Sequence, residues 1–324
     1  MKRSAFVKSL LAWPALASLP RAAWSQAYPA KPVTLVVPYA PGGPTDGCMR
    51  IIAEELSKRM GQTFVVANRP GAASAIGAES VRIAPKDGYT MLMGTSTTFG
   101  LNPLLMKRLT YKLEDFEPVG GLARVVYGFS VSNKVPARNM QEFATWARAQ
   151  SKGFTYGTPG QGTVTDIMAS VLAKLVGAQA VGVHYKGSAP VQVDLGSGQL
   201  DSSIDPLTTA LGMHRAGKAK ILAIVDSQRW PDLPEVPTLA EQGVNGVEGS
   251  SWLGLFAPAG TPQAVVAQVS KALAAVTSMP EVAVRLRAIG QVPISLESAD
   301  LLKLVHRENA WWKKVVEEGG FKAE

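Results

Sequence analysis

Side chains capable of covalent or metal chemistry are sparse in this chain. Three histidines, His184, His214 and His306, and one cysteine, Cys48, are spread over 324 residues. None stands in the His-x-x-x-His or Cys-x-x-Cys spacing that brings two metal ligands together, so neither a metal nor another cofactor is expected. No Gly-x-Ser-x-Gly elbow presents an activated serine. His184 comes nearest to a catalytic reading, because it closes an apolar run beside Tyr185, although a packing histidine fits the same place. Cys48 falls in the first turn of an expected helix, where a helix N-terminus can lower a thiol pKa. With no histidine near it in sequence, a structural cysteine is the preferred reading. A single cysteine also excludes an intrachain disulfide, so the fold rests on its core.

What the sequence offers instead is a pair of Gly/Pro loops. The first is Pro38-Tyr39-Ala40-Pro41-Gly42-Gly43-Pro44-Thr45-Asp46. It follows the apolar run Val33 to Val37 and precedes a helical stripe of Met49, Ile52, Ala53, Leu56 and Met60. A strand, a glycine loop and a helix in that order aim backbone N–H groups and a helix N-terminus into one cavity, which favours an anion. Gly42 and Gly43 leave no Cβ in the way. Thr45 or Asp46 can cap the helix, and the Thr45 hydroxyl can also reach a ligand. Taken alone, the loop is equally well explained as a tight turn. It is neither a Gly-Lys-Ser/Thr phosphate loop nor a Gly-x-Gly-x-x-Gly fingerprint, so nucleotide binding is not indicated.

The second loop, Thr158-Pro159-Gly160-Gln161-Gly162-Thr163, repeats this logic between the run Phe154 to Tyr156 and a helix expected over Val164 to Val176. Two such loops in two α/β units would face each other across a cleft. Other polar groups lie at strand ends, where open α/β sheets bind ligands. The hydroxyl run Thr95-Ser96-Thr97-Thr98 follows Tyr89 to Met93, and Asp205 follows Leu200 to Ile204. Hydroxyls also serve as caps and turn formers. Asp205 suits capping of the helix that runs to Ala216 as well as facing the cleft.

The elements that must position these loops are legible from patterning. Hydrophobic residues make up 46% and charged residues 18%, as in a globular chain. Apolar runs alternate with helical stripes, which predicts an α/β fold with largely parallel sheet. The β-like run Val119 to Ser132 is longer than most single strands and is expected to cross between two units. Ser251 to Pro258 is expected to return. Helices are expected over 262–277, 280–289 and 298–318, with Trp311 and Trp312 as packing residues. Residues 1–27 read as a secretory signal: Lys2, Arg3 and Lys8 precede an uncharged stretch from Leu10 to Leu19, and Ser25-Gln26-Ala27 offers a cleavage site. Removing it lowers the net charge from +8 to +4, with 29 basic residues against 25 acidic. That mild excess, without a basic block, does not indicate a nucleic-acid partner.

These motifs, in this order, resemble the Bug family of periplasmic solute receptors, the TctC-like binding proteins of tripartite tricarboxylate transporters. The resemblance also rests on Asn68-Arg69-Pro70-Gly71-Ala72, Pro85-Lys86-Asp87-Gly88-Tyr89-Thr90, Tyr185-Lys186-Gly187 and Pro234-Glu235-Val236-Pro237-Thr238 with Glu241 and Gly243. It implies a two-domain periplasmic-binding-protein fold, type II-like, with the ligand cleft between domains joined by two crossing strands. The expected domains are 28–125 with 254–324, and 126–253. The resemblance implies a receptor that closes on a small carboxylate and presents it to membrane transporter subunits; a monomer is expected, and a receptor of the same fold serving a sensor kinase is a rival reading. The ligand-contact candidates are Tyr39, Gly42, Gly43, Thr45, Asp46, Ser96, Thr97, Gly160, Gln161, Gly162, Thr163, Asp166, Tyr185, Gly187 and Asp205. Asp166 departs from the histidine that family members often carry, and an acid there would repel a carboxylate or favour an amino group. The rival reading is a secreted hydrolase or transferase with His184 and Asp205 as acid and base.

Overall fold

A computed structural model describes residues 28–247, 251–319 and 321. The expected signal over residues 1–27 lies outside the described residues. In chain order the elements are β1 (Val33–Val37), α1 (Pro44–Met60), β2 (Phe64–Asn68), α2 (Ala75–Arg82), β3 (Thr90–Thr95), α3 (Asn102–Leu105), β4 (Phe116–Val125), β5 (Tyr127–Ser132), α4 (Met140–Arg148), β6 (Phe154–Thr158), α5 (Val164–Leu175), β7 (Ala180–His184), α6 (Ser188–Ser197), β8 (Ser202–Pro206), α7 (Leu207–Arg215), β9 (Ala219–Val225), β10 (Ser251–Pro258), α8 (Gln263–Thr277), α9 (Pro280–Ala288), β11 (Gln291–Pro293) and α10 (Ser298–Gly319).

The β-branched run of β1 is buried on both faces, which is why it reads as a continuous apolar stretch rather than an alternating one. Val33, Leu35 and Val37 share a core with Met49, Ile52 and Leu56 of α1. Val36 points the other way, into a second core with Val81 of α2, Phe99, Trp252 and Phe256, closed by Leu301 and Val305 of α10. Helices therefore cover both faces of the sheet. Pro44 opens α1 at a position that lacks a hydrogen-bond partner in any case, and Gly61 closes it with φ +68°, the left-handed stop that glycine allows. Trp312 is fully buried in the larger core with Trp311 packed at its edge.

The strands form two sheets, a six-stranded one in the order β11-β4-β10-β3-β1-β2 and a five-stranded one in the order β7-β6-β8-β5-β9. The expectation of largely parallel sheet needs correction, because both sheets are mixed. β1 pairs in parallel with β2 and β3, and β6 with β7 and β8. β10 is antiparallel to β3 and β4, β11 to β4, and β5 to β8 and β9. The parallel triplets come from strand–helix–strand crossovers. The antiparallel strands are mostly those that arrive from, or leave for, the other sheet, and a buried apolar run does not reveal its neighbour's direction. β4 and β5 form one extended stretch broken only at Val126, with β4 in the first sheet and β5 in the second.

The two lobes are joined closely at this crossing. Leu207 donates its N–H to the Val126 carbonyl at 2.8 Å, and Val126 donates to Gly290 at 3.3 Å. Thr208 Oγ1 donates to the Ile289 carbonyl at 3.0 Å. A Cβ on Gly290 would lie 2.7 Å from Thr208 N, so the chain approaches there only because the residue is glycine. Arg124 and Asp226 form an ion pair across the same junction.

Candidate ligand-binding site

The two parallel triplets, β2-β1-β3 and β7-β6-β8, have the same order. In each, the chain leaves the central strand in one direction and returns on the other side. The C-terminal ends of β1 and β3, and of β6 and β8, are therefore switch points where the flanking loops diverge and leave a crevice. The first Gly/Pro loop follows β1, and the Thr/Ser run follows β3. The second Gly/Pro loop follows β6, and Asp205 ends β8. The two switch points thus gather most of the candidates. The lobes touch here as well: Leu105, at the end of α3, has its Cδ1 4.0 Å from where a Cβ on Gly162 would sit.

In the first loop Gly42 adopts φ +85°, a conformation that suits glycine. Gly43 is the N-cap of α1 and no side chain caps it, so the expected capping by Thr45 or Asp46 does not occur. Asp46, buried in the first turn, folds back instead. Its Oδ2 accepts the Gly42 N–H at 3.0 Å and Arg50 Nε at 2.8 Å, and its Oδ1 accepts Asn68 Nδ2 at 2.9 Å. Asn68 Nδ2 also donates to the Tyr39 carbonyl at 3.1 Å. Burial alone would raise the Asp46 pKa, but the hydrogen bonds from Arg50, Gly42 and Asn68 prevail and hold it below the usual carboxylate range. Its carboxylate is thus a clamp on the loop. Thr45 and Gly43 are half-buried beside it.

The second loop uses the same device. Gly162, at φ +69°, donates its N–H to Asp166 Oδ2 at 2.9 Å, four residues on as in the first loop. Asp166 Oδ1 pairs with His184 Nε2 at 2.9 Å. Thr163 Oγ1 donates to the Gly160 carbonyl at 2.7 Å and lies 3.2 Å from Thr165 Oγ1, while Gln161 is exposed. The segment after β7 is stitched on: Tyr185 N donates to Thr158 O at 2.9 Å and Gly187 N to Pro159 O at 3.0 Å. Tyr185 turns its side chain away toward α6, where its hydroxyl donates to Asp194 Oδ2 at 2.6 Å. Burial, then the bonded Asp194 carboxylate, pushes that phenol up to about 12. Gly187, with φ +124°, faces open space.

The Thr/Ser run leads from the end of β3 into a single π-helical turn, Thr97–Leu101, an irregularity frequent at functional sites. Its hydroxyls are buried in a network. Thr95 Oγ1 lies 3.1 Å from both Tyr39 Oη and Thr98 Oγ1, and Thr98 Oγ1 lies 2.9 Å from Ser74 Oγ. The Thr97 side chain also hydrogen-bonds Tyr39. Ser96 Oγ accepts the Trp252 N–H at 3.2 Å. Three consecutive non-glycine residues beside this network are left-handed: Ala72 at φ 44°, Ala73 at φ 45° and Ser74 at φ 78°. Such backbone costs about 1–3 kcal/mol per residue and persists only where its surroundings impose it. Asn102 Nδ2 imposes it, donating to the Ala73 carbonyl at 2.9 Å while also contacting Tyr111 Oη at 2.9 Å. Sequence reading missed this turn, because Ala-Ala-Ser carries none of the glycine or asparagine signal for positive φ.

Asp205 is fully buried and accepts Ser188 Oγ at 2.5 Å and Gln192 Nε2 at 2.9 Å. Burial pushes its carboxyl up to about 7 against these two hydrogen bonds. It does not cap α7, whose N-cap Pro206 has no side-chain cap. Tyr127 on β5 hydrogen-bonds Ser251 on β10 and lies within electrostatic reach of Tyr39 and Asp205, which ties one sheet to the other. His184 pairs with Asp166, and Asp205 is held by α6, so the acid–base pair His184–Asp205 expected of a hydrolase does not form. Cys48 is fully buried and burial raises its thiol pKa, which removes any reactive role for it in the fold described here. Among the described residues no cluster of three or more His, Cys, Asp or Glu could hold a metal, and no helix is long and apolar enough to cross a membrane.

Two α/β lobes, two crossing segments and a crevice between switch points define a two-lobed periplasmic-binding-protein fold. The model of the tripartite tricarboxylate transporter family receptor matches residues 48–321, and the chain belongs to that family. A protein from the tcbD-tcbE intergenic region of Pseudomonas sp. (strain P51) is 34% identical over 92% of this chain and 89% of its own. BugT of Bordetella pertussis is 29% identical over 91% of both chains. Among solved structures, a Rhodopseudomonas palustris protein with adipate superposes with TM-score 0.88 at 35% identity, covering 92% of this chain and all (100%) of its own. MatC from the same organism, with bound malate, gives TM-score 0.83 at 32% identity, covering 89% of this chain and 100% of its own. The family is one of receptors, not enzymes.

Proposed function

We propose that this protein is an extracytoplasmic receptor that binds a small carboxylated metabolite between its lobes and presents it to the membrane subunits of a tripartite tricarboxylate-type transporter. The observation that carries the reading is the pair of equivalent Gly/Pro loops, one from each lobe, each clamped by a carboxylate four residues beyond a left-handed glycine. Clamped loops keep their shape, and their remaining N–H groups and hydroxyls are the donors a carboxylate needs. Adipate and malate in the two neighbouring structures support the same ligand class. On this reading the lobes are 28–125 with 254–324, and 126–253. Binding shifts an open–closed equilibrium toward the closed form that the transporter recognises. Export through the signal over residues 1–27 places the monomer in the periplasm.

Thermal unfolding of the mature chain, residues 28–324, against a panel of aliphatic, aromatic and amino-acid carboxylates tests this. One or a few acids are expected to raise the midpoint with concentration and to leave the mixture chemically unchanged. No rise with any member of the panel removes the carboxylate assignment, and chemical turnover of a member removes the receptor assignment.

A further inference from the structure

The two loop clamps are alike in geometry and different in charge chemistry. In the first, Asp46 is paired with Arg50, a cation at every physiological pH. In the second, the partner of Asp166 is His184, at 2.9 Å, the one side chain whose charge ordinarily changes between about pH 5 and 8. We propose that Asp166 and His184 are a titrating positioning pair: a carboxylate binds the second loop more tightly when His184 is protonated and less tightly when it is neutral. The inference rests on the carboxylate reading above.

Three features support the pairing. Asp166 has an 11% exposed side chain, so water screens its charge poorly, whereas His184 is 33% exposed and can exchange protons with solvent. The titratable groups facing Asp166 are Tyr156 on β6 and His184 on β7, and a phenol supplies no positive charge. Lys186, two residues beyond His184, is exposed. The approach of β7 is also built for the contact. A Cβ on Gly182 would lie 2.8 Å from Tyr156 Oη and 3.2 Å from His184 Nε2, so a larger residue there would displace both side chains.

The consequence follows from charge balance. Asp166 accepts the Gly162 N–H, so it both shapes the loop and places a negative charge beside it. With protonated His184 that charge is neutralised. With neutral His184 it repels an incoming carboxylate, an effect of about 3- to 10-fold in affinity at the separations and dielectric of a half-buried site. The first clamp has no such dependence, because Arg50 does not titrate. The pair therefore acts through the loop and ligand field, not by touching the ligand.

Calorimetric titration with malate and adipate from pH 5.5 to 8.5 tests this on the wild type, His184→Gln and Asp166→Asn. Wild-type affinity is expected to fall about 3- to 10-fold with rising pH. His184→Gln keeps a donor to Asp166 but cannot charge, so it should hold the weak, alkaline affinity throughout. Asp166→Asn keeps an acceptor for Gly162 and should bind more tightly than wild type at pH 8.5, a gain that mere damage to the loop would not give. The same slope in wild type and His184→Gln, or weaker binding by Asp166→Asn at pH 8.5, overturns the pair. Because Asp205 is present in both proteins, the comparison cancels its titration. Absence of binding to the wild type at every pH overturns the carboxylate reading itself and the pair's role with it.

Discussion

Replacing Asp46 by alanine tests whether the clamp holds the first loop. The side chain receives three hydrogen bonds, from the Gly42 N–H, Arg50 Nε and Asn68 Nδ2. A hydrogen bond to a buried charged acceptor is worth about 1.5–3 kcal/mol net, which applies to the Gly42 contact. Arg50 is half exposed, so its share is about 0–1 kcal/mol. Asn68 keeps the Tyr39 carbonyl as an acceptor, so its loss is partial. The sum is about 2–4 kcal/mol, or, for a chain of about 300 residues, a midpoint lowered by about 3 to 6 °C. Because Asp46 titrates below the usual carboxylate range when folded, its contribution is full above the ordinary carboxylate pKa and lost as pH falls through the folded one. The gap between Asp46→Ala and wild type, read by urea unfolding, should therefore be widest near pH 7 and close below about pH 4. Asp46→Asn, which retains an acceptor for Gly42, should lose less. A difference under about 0.5 kcal/mol at pH 7, or one that does not change with pH, refutes the clamp.

Asp205 has the opposite sign. Burial raises its carboxyl to about 7, so the folded protein retains a proton that the unfolded chain releases between about pH 4 and 7, and stability declines across that window. Asp205→Asn should match wild type below about pH 4 and exceed it by about 2–4 kcal/mol at pH 8, with the gap opening between those values, measured by denaturant unfolding. Asn102→Ala removes the donor that holds the Ala73 carbonyl. It should cost about 1–3 kcal/mol and speed amide hydrogen exchange over residues 71–74, and unchanged exchange there would show that the left-handed turn is held by something else.

The parts of the fold legible in the sequence are those whose signal is local. Val33 to Val37 and the α1 stripe follow from apolar period, and each stands where its pattern indicated. The α/β class follows from alternation of the two periods. Strand direction was not legible, because β10 and β5 are as apolar as the parallel strands and their orientation depends on segments far away in sequence. The short strand β11, three residues long, carries too little pattern to register. At the site, the loops and the hydroxyl run were visible because Gly, Pro and Thr are conspicuous. The use of Asp46 and Asp166 was not, since a first-turn acid reads as a cap or a ligand contact and only coordinates reveal that it turns back to an N–H. The pairing of Asp166 with His184 spans two elements, and the Ala72 to Ser74 turn contradicts its own residue types.

The position of β10 bears on how the chain folds. It lies between β4 and β3 and is the strand that joins β4 to β3, β1 and β2. Its partner β4 precedes it by the whole second sheet, so pairing Val125 with Ser251 closes a loop of about 125 residues, with an entropic penalty of about 4 kcal/mol if that loop is unstructured. The second lobe is continuous in sequence, and although its own pairing of β5 with β9 spans about 100 residues, every strand it needs lies between β4 and β10. Once it has formed, it holds the ends of β4 and β10 near each other and shortens the effective loop. An order of assembly follows, in which the inserted lobe, whose strands all precede β10 in the chain, acts as the template on which the first is completed.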